Sequence, residues 1–211
     1  MKIIHHGGAK GVTGSCHELI LDYDCSVLID CGLFQGADCS KSKTQTEQLK
    51  IDFPIGRIRS LIVTHCHIDH VGRIPYLLMA GFDHGIMCSK ATAKLIPLVL
   101  EDALKIGITK RPGLIKSFLQ KIDTLLIPLD YGEWYPLLRS NTSERQANAA
   151  VRLQPAGHIL GSAFVEIQVD NGSERKRVVF SGDLGAPYTP LLSAPKSPYW
   201  ADVLVLEALL I

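Results

Sequence analysis

Three imidazoles and a carboxylate fall together in Thr64-His65-Cys66-His67-Ile68-Asp69-His70. Imidazole nitrogens and carboxylate oxygens are the usual non-thiolate ligands of zinc and of similar borderline divalent ions. The run before them, Ser60-Leu61-Ile62-Val63, is short and apolar and reads as a buried strand. The run after them, Val71-Gly72-Arg73-Ile74-Pro75-Tyr76-Leu77-Leu78, reads as the first turns of a helix. The ligands therefore belong on a strand-to-helix connection, at the carboxyl end of a strand, where open α/β sheets hold their sites. In an extended connection His65, His67 and Asp69 face one way while Cys66 and Ile68 face the other. His70 points elsewhere unless the backbone turns into the helix there. That arrangement suits two metals, one taking His65 and His67 and a neighbour taking Asp69 and His70. A polar loop whose histidines only hydrogen-bond is the weaker account, because four ligands at fixed offsets after a strand are hard to explain as packing.

Two later stretches combine glycine with one more donor each. Ala156-Gly157-His158-Ile159-Leu160-Gly161-Ser162 carries a histidine between strands, and Ser181-Gly182-Asp183-Leu184-Gly185 carries an aspartate after Val178-Val179-Phe180. Alone, each is more simply a turn. Beside a cluster still short of ligands, His158 completes three nitrogens for one metal and Asp183 can bridge both ions. Paired divalent ions bring the pKa of water towards neutrality and offset charge at a phosphoryl centre, so the expected chemistry is metal-assisted hydrolysis. Asp69 and Asp183 are the candidate catalytic carboxylates.

The positioning elements follow in chain order. Lys2 to His6 and Cys16 to Asp22 read as strands joined by a glycine-rich connection, for which tight turns explain the glycines better than a phosphate cradle. His5, His6 and His17 read as ordinary strand histidines. Cys25 to Gly32 is a third strand ending in Asp30, either a turn-former or a group that orients the histidine loop. Gly36 to Lys50 and Arg139 to Ala149 are polar connections. Ser89 caps a helix to about Ile106 with Leu95, Val99, Ala103 and Ile106 on one face, its start kinked or delayed by Pro97. Leu114, Ile115, Phe118, Leu119 and Ile122 form a second helical stripe. From Thr124 the chain is strand-rich, with strands expected over Thr124–Leu129, Trp134–Leu138, Val151–Gln154, Ser162–Val169, Lys176–Ser181 and Asp202–Glu207. Asp170-Asn171-Gly172 marks a hairpin.

With 211 residues and 46% hydrophobic content, the chain has enough material for one domain with a full core. A net charge of +1 gives no global bias towards nucleic acid or anionic membrane. No apolar run is long enough to span a bilayer and no signal-peptide core opens the chain, so a soluble cytoplasmic protein with no membrane partner is expected. The six cysteines form no Cys-x-x-Cys pair, which argues against a thiolate zinc knot.

The motifs resemble the metallo-β-lactamase superfamily, whose signature is His-x-His-x-Asp-His followed by a distant His and a distant Asp. Asp30 in Leu-Ile-Asp-Cys-Gly, the full Thr-His-Cys-His-Ile-Asp-His-Val-Gly-Arg, Ala-Gly-His-Ile-Leu-Gly-Ser-Ala and Phe-Ser-Gly-Asp-Leu-Gly together look like its beta-CASP branch of RNA-processing nucleases. The similarity runs from about Lys2 to Glu207. It implies an α+β fold, an αβ/βα four-layer sandwich with two zinc ions between the sheets. By the same resemblance His65, His67 and His158 bind one zinc, Asp69 and His70 bind the other, and Asp183 bridges. Asp30 would support the histidine loop, and Glu207 matches the acidic position that opens the branch's second half. RNA as substrate is implied by the resemblance alone.

One departure accompanies it: no histidine follows His158, and Ala208-Leu209-Leu210-Ile211 ends the sequence. Residues 1–211 are thus expected to be the N-terminal portion of a metallo-β-lactamase-like domain, without the beta-CASP domain and closing strands. The second zinc would lack a ligand, and a partner or a second copy would cover an exposed apolar sheet. Two rival readings stay open: a lactamase-fold hydrolase of a small ester or thioester, and a non-catalytic interaction module.

Overall fold

A computed structural model of the chain describes residues 1–39, 48–107, 109–138, 148–170 and 172–207. The strands β1 (Lys2–Gly7), β2 (Cys16–Ile20), β3 (Ser26–Ile29), β4 (Ile58–Ile62), β5 (Gly85–Ser89) and β6 (Leu126–Leu129) form one sheet in that order. Its first two pairings are antiparallel and the next three parallel. A second sheet runs β11 (Val203–Val205), β10 (Arg175–Phe180), β9 (Ala163–Asp170), β8 (Asn148–Pro155), β7 (Trp134–Leu138). It is antiparallel except between β10 and β11.

The burial patterns explain the layering. All four residues of β3 are buried, as in a parallel strand covered on both faces. One face of the first sheet packs Leu28, Leu61, Ile86 and Cys88 against the helices α1 (Ile68–Val71), α2 (Ile74–Met79), α3 (Lys90–Gly107) and α4 (Pro112–Leu125). The other face packs Leu19, Val27, Ile29 and Ile62 against Val151, Leu153, Val165, Ile167, Val178 and Phe180 of the second sheet. The α+β sandwich expected from the sequence is therefore present as three layers, helices, sheet and sheet. Among the described residues no helix follows β6, so the fourth layer is not seen. The outer face of the second sheet instead stacks Arg152 on Trp134, and Arg177 on both Trp134 and Trp200, around the buried Glu166.

Several expectations shift at their boundaries. α4 runs on to Leu125, so β6 begins at Leu126. The helix after the histidine run is two short helices separated by Gly72 and Arg73. α3 passes through Pro97 and starts at Lys90, with Ser89 Oγ accepting the Thr92 N–H as a cap. Its buried stripe is Ala93, Ile96, Leu100 and Leu104, offset from the expected one, and Ile106 is exposed. Val99, Ala103 and Ile106 instead line a surface groove with Leu33, Phe34, Ile68 and Tyr76. The polar connections at 36–50 and 139–149 lie largely outside the described residues, as does the stretch after Glu207. The glycine-rich connection is a turn: Asp38 Oδ2 accepts the Val12 and Thr13 N–H groups and the Thr13 hydroxyl, so a carboxylate already occupies those donors. No helix of the described residues is long and apolar enough to cross a membrane.

Candidate metal centre

The histidine run begins where β4 ends. His67 is still extended, at φ −64° and ψ 150°, and α1 opens at Ile68. His65 and His67 therefore share one side, with His65 Nε2 3.1 Å from His67 Nδ1. Beyond His67 strand alternation gives way to about 100° of turn per residue, so Asp69 no longer follows the alternation of the two histidines. Asp69 belongs to neither of the two donor groups that gather among the described residues.

The first group is His65, His67, His158 and Asp183, with one donor atom from each lying within 4.8 Å of all the others. His158 Nε2 stands 3.2 Å from His67 Nδ1 and 3.3 Å from Asp183 Oδ2, and His65 Nε2 is 3.7 Å from the same oxygen. The second group is His70, Asp183 and Glu207. Here His70 Nε2 is 3.2 Å from Asp183 Oδ1 and 3.9 Å from Glu207 Oε1. Asp183 thus turns one oxygen to each group. Among the described residues His5, His6 and His17 join neither: His5 pairs with His17, and His6 with Glu18.

These residues fit divalent metal. Tetrahedral zinc with bonds of about 2.0–2.1 Å needs donors about 3.3–3.4 Å apart; four donor pairs of the first group lie 3.1–3.7 Å apart and all its donors within 4.8 Å. His70 Nε2 and Asp183 Oδ1 are both buried without an aligned hydrogen-bond partner, a costly state that a shared cation relieves.

A family model described as the metallo-beta-lactamase superfamily matches residues 15–208. The chain belongs to that superfamily. Its relatives include "Ribonuclease TTHA0252" of Thermus thermophilus, 35% identical over 98% of this chain and 43% of that protein. "Transcription termination factor FttA" of Methanosarcina mazei is 31% identical over 84% of this chain and 26% of that protein. "Integrator complex subunit 11" of Danio rerio is 28% identical over 87% and 29% respectively. These relatives agree with the beta-CASP assignment made from the motifs. The chain spans less than half the length of each.

What surrounds the donors of this metallo-β-lactamase domain was partly hidden in its sequence. Asp30, the one non-glycine described residue at positive φ (58°), is buried at the end of β3. Its Oδ1 accepts the Thr64 N–H at 2.8 Å, and its Oδ2 accepts the Thr64 hydroxyl and lies 2.8 Å from His70 Nδ1. Asp30 thus orients His70 through the ring nitrogen away from the donor group. Thr64, which the sequence reading passed over, has its hydroxyl within 3.1 Å of His65 Nδ1. Its only signal was its place at the strand end before the first histidine. Glu207, expected beside the site, is brought into the second donor group.

Burial, the largest influence, combines with the charge of His70 to lower His65 to about 2, leaving a free lone pair at neutral pH. His158 is also lowered, first by burial. Burial pulls His70 down too, but the Asp30 and Asp183 carboxylates outweigh it and raise the imidazole to about 11. Glu207 is raised to about 8 by burial and by the adjacent Asp183. Burial works to raise Asp183 as well, yet His70 and Glu207 hold it well below the usual carboxylate range. The loops carrying the last two donors touch through backbone. Gly185 N–H donates to Ala156 C=O at 2.8 Å, and any side chain at Gly185 would overlap the Gly157 carbonyl.

Proposed function

We propose that this domain binds two zinc ions and belongs to a phosphodiesterase that hydrolyses RNA. The observation that carries the reading is the Asp183 carboxylate, which presents Oδ2 to His65 and His158 and Oδ1 to His70. His65, His67, His158 and Asp183 would hold one ion, and His70, Asp183 and Glu207 the other. Asp69, the remaining carboxylate of the motif, is proposed to approach the second site once it is loaded. Such ions, when bound, activate water at neutral pH and offset charge on a phosphodiester. The chain's own residues do the rest. Neutral His65 and His158 supply lone pairs, Asp30 orients His70, Thr64 lies against His65, and Asp183 faces both groups where an attacking water would be steered. Relatives named as a ribonuclease support RNA as substrate.

Residues 1–211 are proposed to be the N-terminal portion of a larger metallo-β-lactamase-like unit, in which the β11 edge, unpaired on one side among the described residues, is covered by further polypeptide or by a second copy. The exposed Leu204 and Leu206 beside that edge support this. A cytoplasmic setting accords with six free thiols.

Metal analysis of the purified, folded protein, followed by assays on labelled RNA, DNA and thioesters, tests the reading. Two zinc ions per chain and RNA cleavage are expected. Less than one zinc per chain removes the metal site, and thioester hydrolysis without RNA cleavage replaces the substrate.

A further inference from the structure

His158 reaches the first donor group from the second sheet, whereas His65 and His67 come from the first. Its imidazole is useful only if the β8–β9 connection is held in register against the opposite sheet, and the hydrogen bonds there do that. Ser162 Oγ accepts the His158 N–H at 3.0 Å and the Ile159 N–H at 3.2 Å, closing the turn on itself. The Tyr131 hydroxyl donates to the Ser162 carbonyl at 3.0 Å, and the Ala163 N–H donates to the Thr64 carbonyl at 2.8 Å. The remaining tie is two-fold. Ser89 Oγ, at the end of β5, donates to the Gly161 carbonyl at 2.7 Å, and Thr92 Oγ1, in the first turn of α3, donates to the same oxygen at 2.8 Å. Both hydroxyl residues are buried. A carbonyl oxygen has two lone pairs, so both bonds can form at once. Gly161 lies at φ +87°, and a Cβ there would stand 2.6 Å from Thr92 Oγ1, so the glycine permits this approach.

We propose that Thr92 and Ser89 are positioning residues for His158: by gripping the Gly161 carbonyl from the β5–α3 junction they set how far the imidazole reaches into the first metal site. The proposal rests on the metal reading above and adds two residues outside the motif, one at the end of β5 and one in the first turn of α3. The hydroxyls touch no donor atom; they act through the backbone of the turn. The two are not equivalent, because Ser89 also caps α3 by accepting the Thr92 N–H. Thr92 is the cleaner probe, since Thr92→Val keeps the shape and the cap while removing the donor.

The experiment is a cobalt(II) titration of the full chain, followed by the visible ligand-field spectrum, which reports the ligands of each ion, alongside thermal melts. Thr92→Val, Thr92→Ser, Ser89→Ala and the Thr92→Val/Ser89→Ala pair are compared with the unsubstituted protein. The expected result is about a 10-fold loss of affinity at one of two sites in Thr92→Val, of the size seen when groups that orient a ligand are removed. An altered spectrum accompanies it, the second site is unchanged, and Thr92→Ser recovers both readouts. The pair shows a larger loss than either single change. If Thr92→Val and the pair titrate and absorb as the unsubstituted protein does, even with lower melting temperatures, the hydroxyls only stabilise the fold and the proposal is overturned. If the unsubstituted protein itself takes up no cobalt, the metal reading fails first, a result that no comparison among variants could imitate.

Discussion

His70 carries the sharpest electrostatic conflict in the molecule. It is fully buried, and the Asp30 and Asp183 carboxylates nevertheless keep it protonated, up to about 11. A histidine raised above its ordinary value adds stability that is complete below about pH 6.5 and is lost as pH rises through the folded value. Glu207, raised to about 8, holds its own proton at neutral pH. An ion at the second group needs the His70 lone pair and the Glu207 carboxylate, so both protons must leave. Zinc binding at pH 7 should therefore release protons, and its apparent affinity should climb with pH up to about 8 and more gently beyond. Calorimetry in buffers of different ionisation enthalpy reads this directly; identical heats in all of them would refute it. Asp30→Ala should release fewer protons, because His70 then keeps only Asp183 against burial and its pKa falls. It should also cost about 3–5 kcal/mol in a denaturant melt, the usual penalty for stripping a buried charge of its partner. At this scale the sequence spoke plainly where chemistry is local. His65 and His67 share a side because the strand persists to His67. It said nothing clear about Thr64, or that Glu207 would reach the second donor group itself, since both depend on where α1 and β11 lie.

At the scale of elements, the donors are carried by strand ends and turns, and the turns are fixed to one another rather than to solvent. The 156–162 and 181–185 connections meet where Gly185 lies against the Gly157 carbonyl. Gly185→Ala would drive these backbones apart and separate His158 from Asp183. The direct cost should be about 1–3 kcal/mol, that of overpacking a filled site. Because zinc stabilises only the arrangement that binds it, the rise in melting temperature on adding zinc should shrink markedly in Gly185→Ala. A full zinc-induced rise would show that the two turns adjust independently. Element type was legible from the sequence wherever periodicity was strong, as in β9 and α4. α3 was harder: its apolar residues form two stripes, and sequence alone does not say which meets the sheet. Ala93, Ile96, Leu100 and Leu104 do, because Ser89 and Thr92 at its start are turned in towards Gly161.

Across the whole molecule, the sandwich was legible through the resemblance that the ligand motifs carry, not through the periodicity of its strands. Among the described residues the outer face of the second sheet is covered by tryptophan and arginine rather than by a helix. The two sheets are closed at the β6–β7 side, where the chain crosses from one to the other, and open at the β1 and β11 side. There a cavity of about 540 Å³ reaches from His5 and His17 to Glu207. Among the described residues β11 pairs only with β10, leaving one edge without a strand, and Leu204 and Leu206 are 52% and 57% exposed. An edge with free backbone donors and apolar side chains invites another strand. In isolation the chain should therefore self-associate as concentration rises, with light scattering giving a mass above that of one chain. Leu204→Lys together with Leu206→Lys should hold it monomeric, because two charges on one face of an edge strand are expensive to bury against a second sheet. Zinc content should be unaffected by the pair, whose side chains are not donors. A concentration-independent monomer before substitution would mean that the open edge is tolerated as it stands.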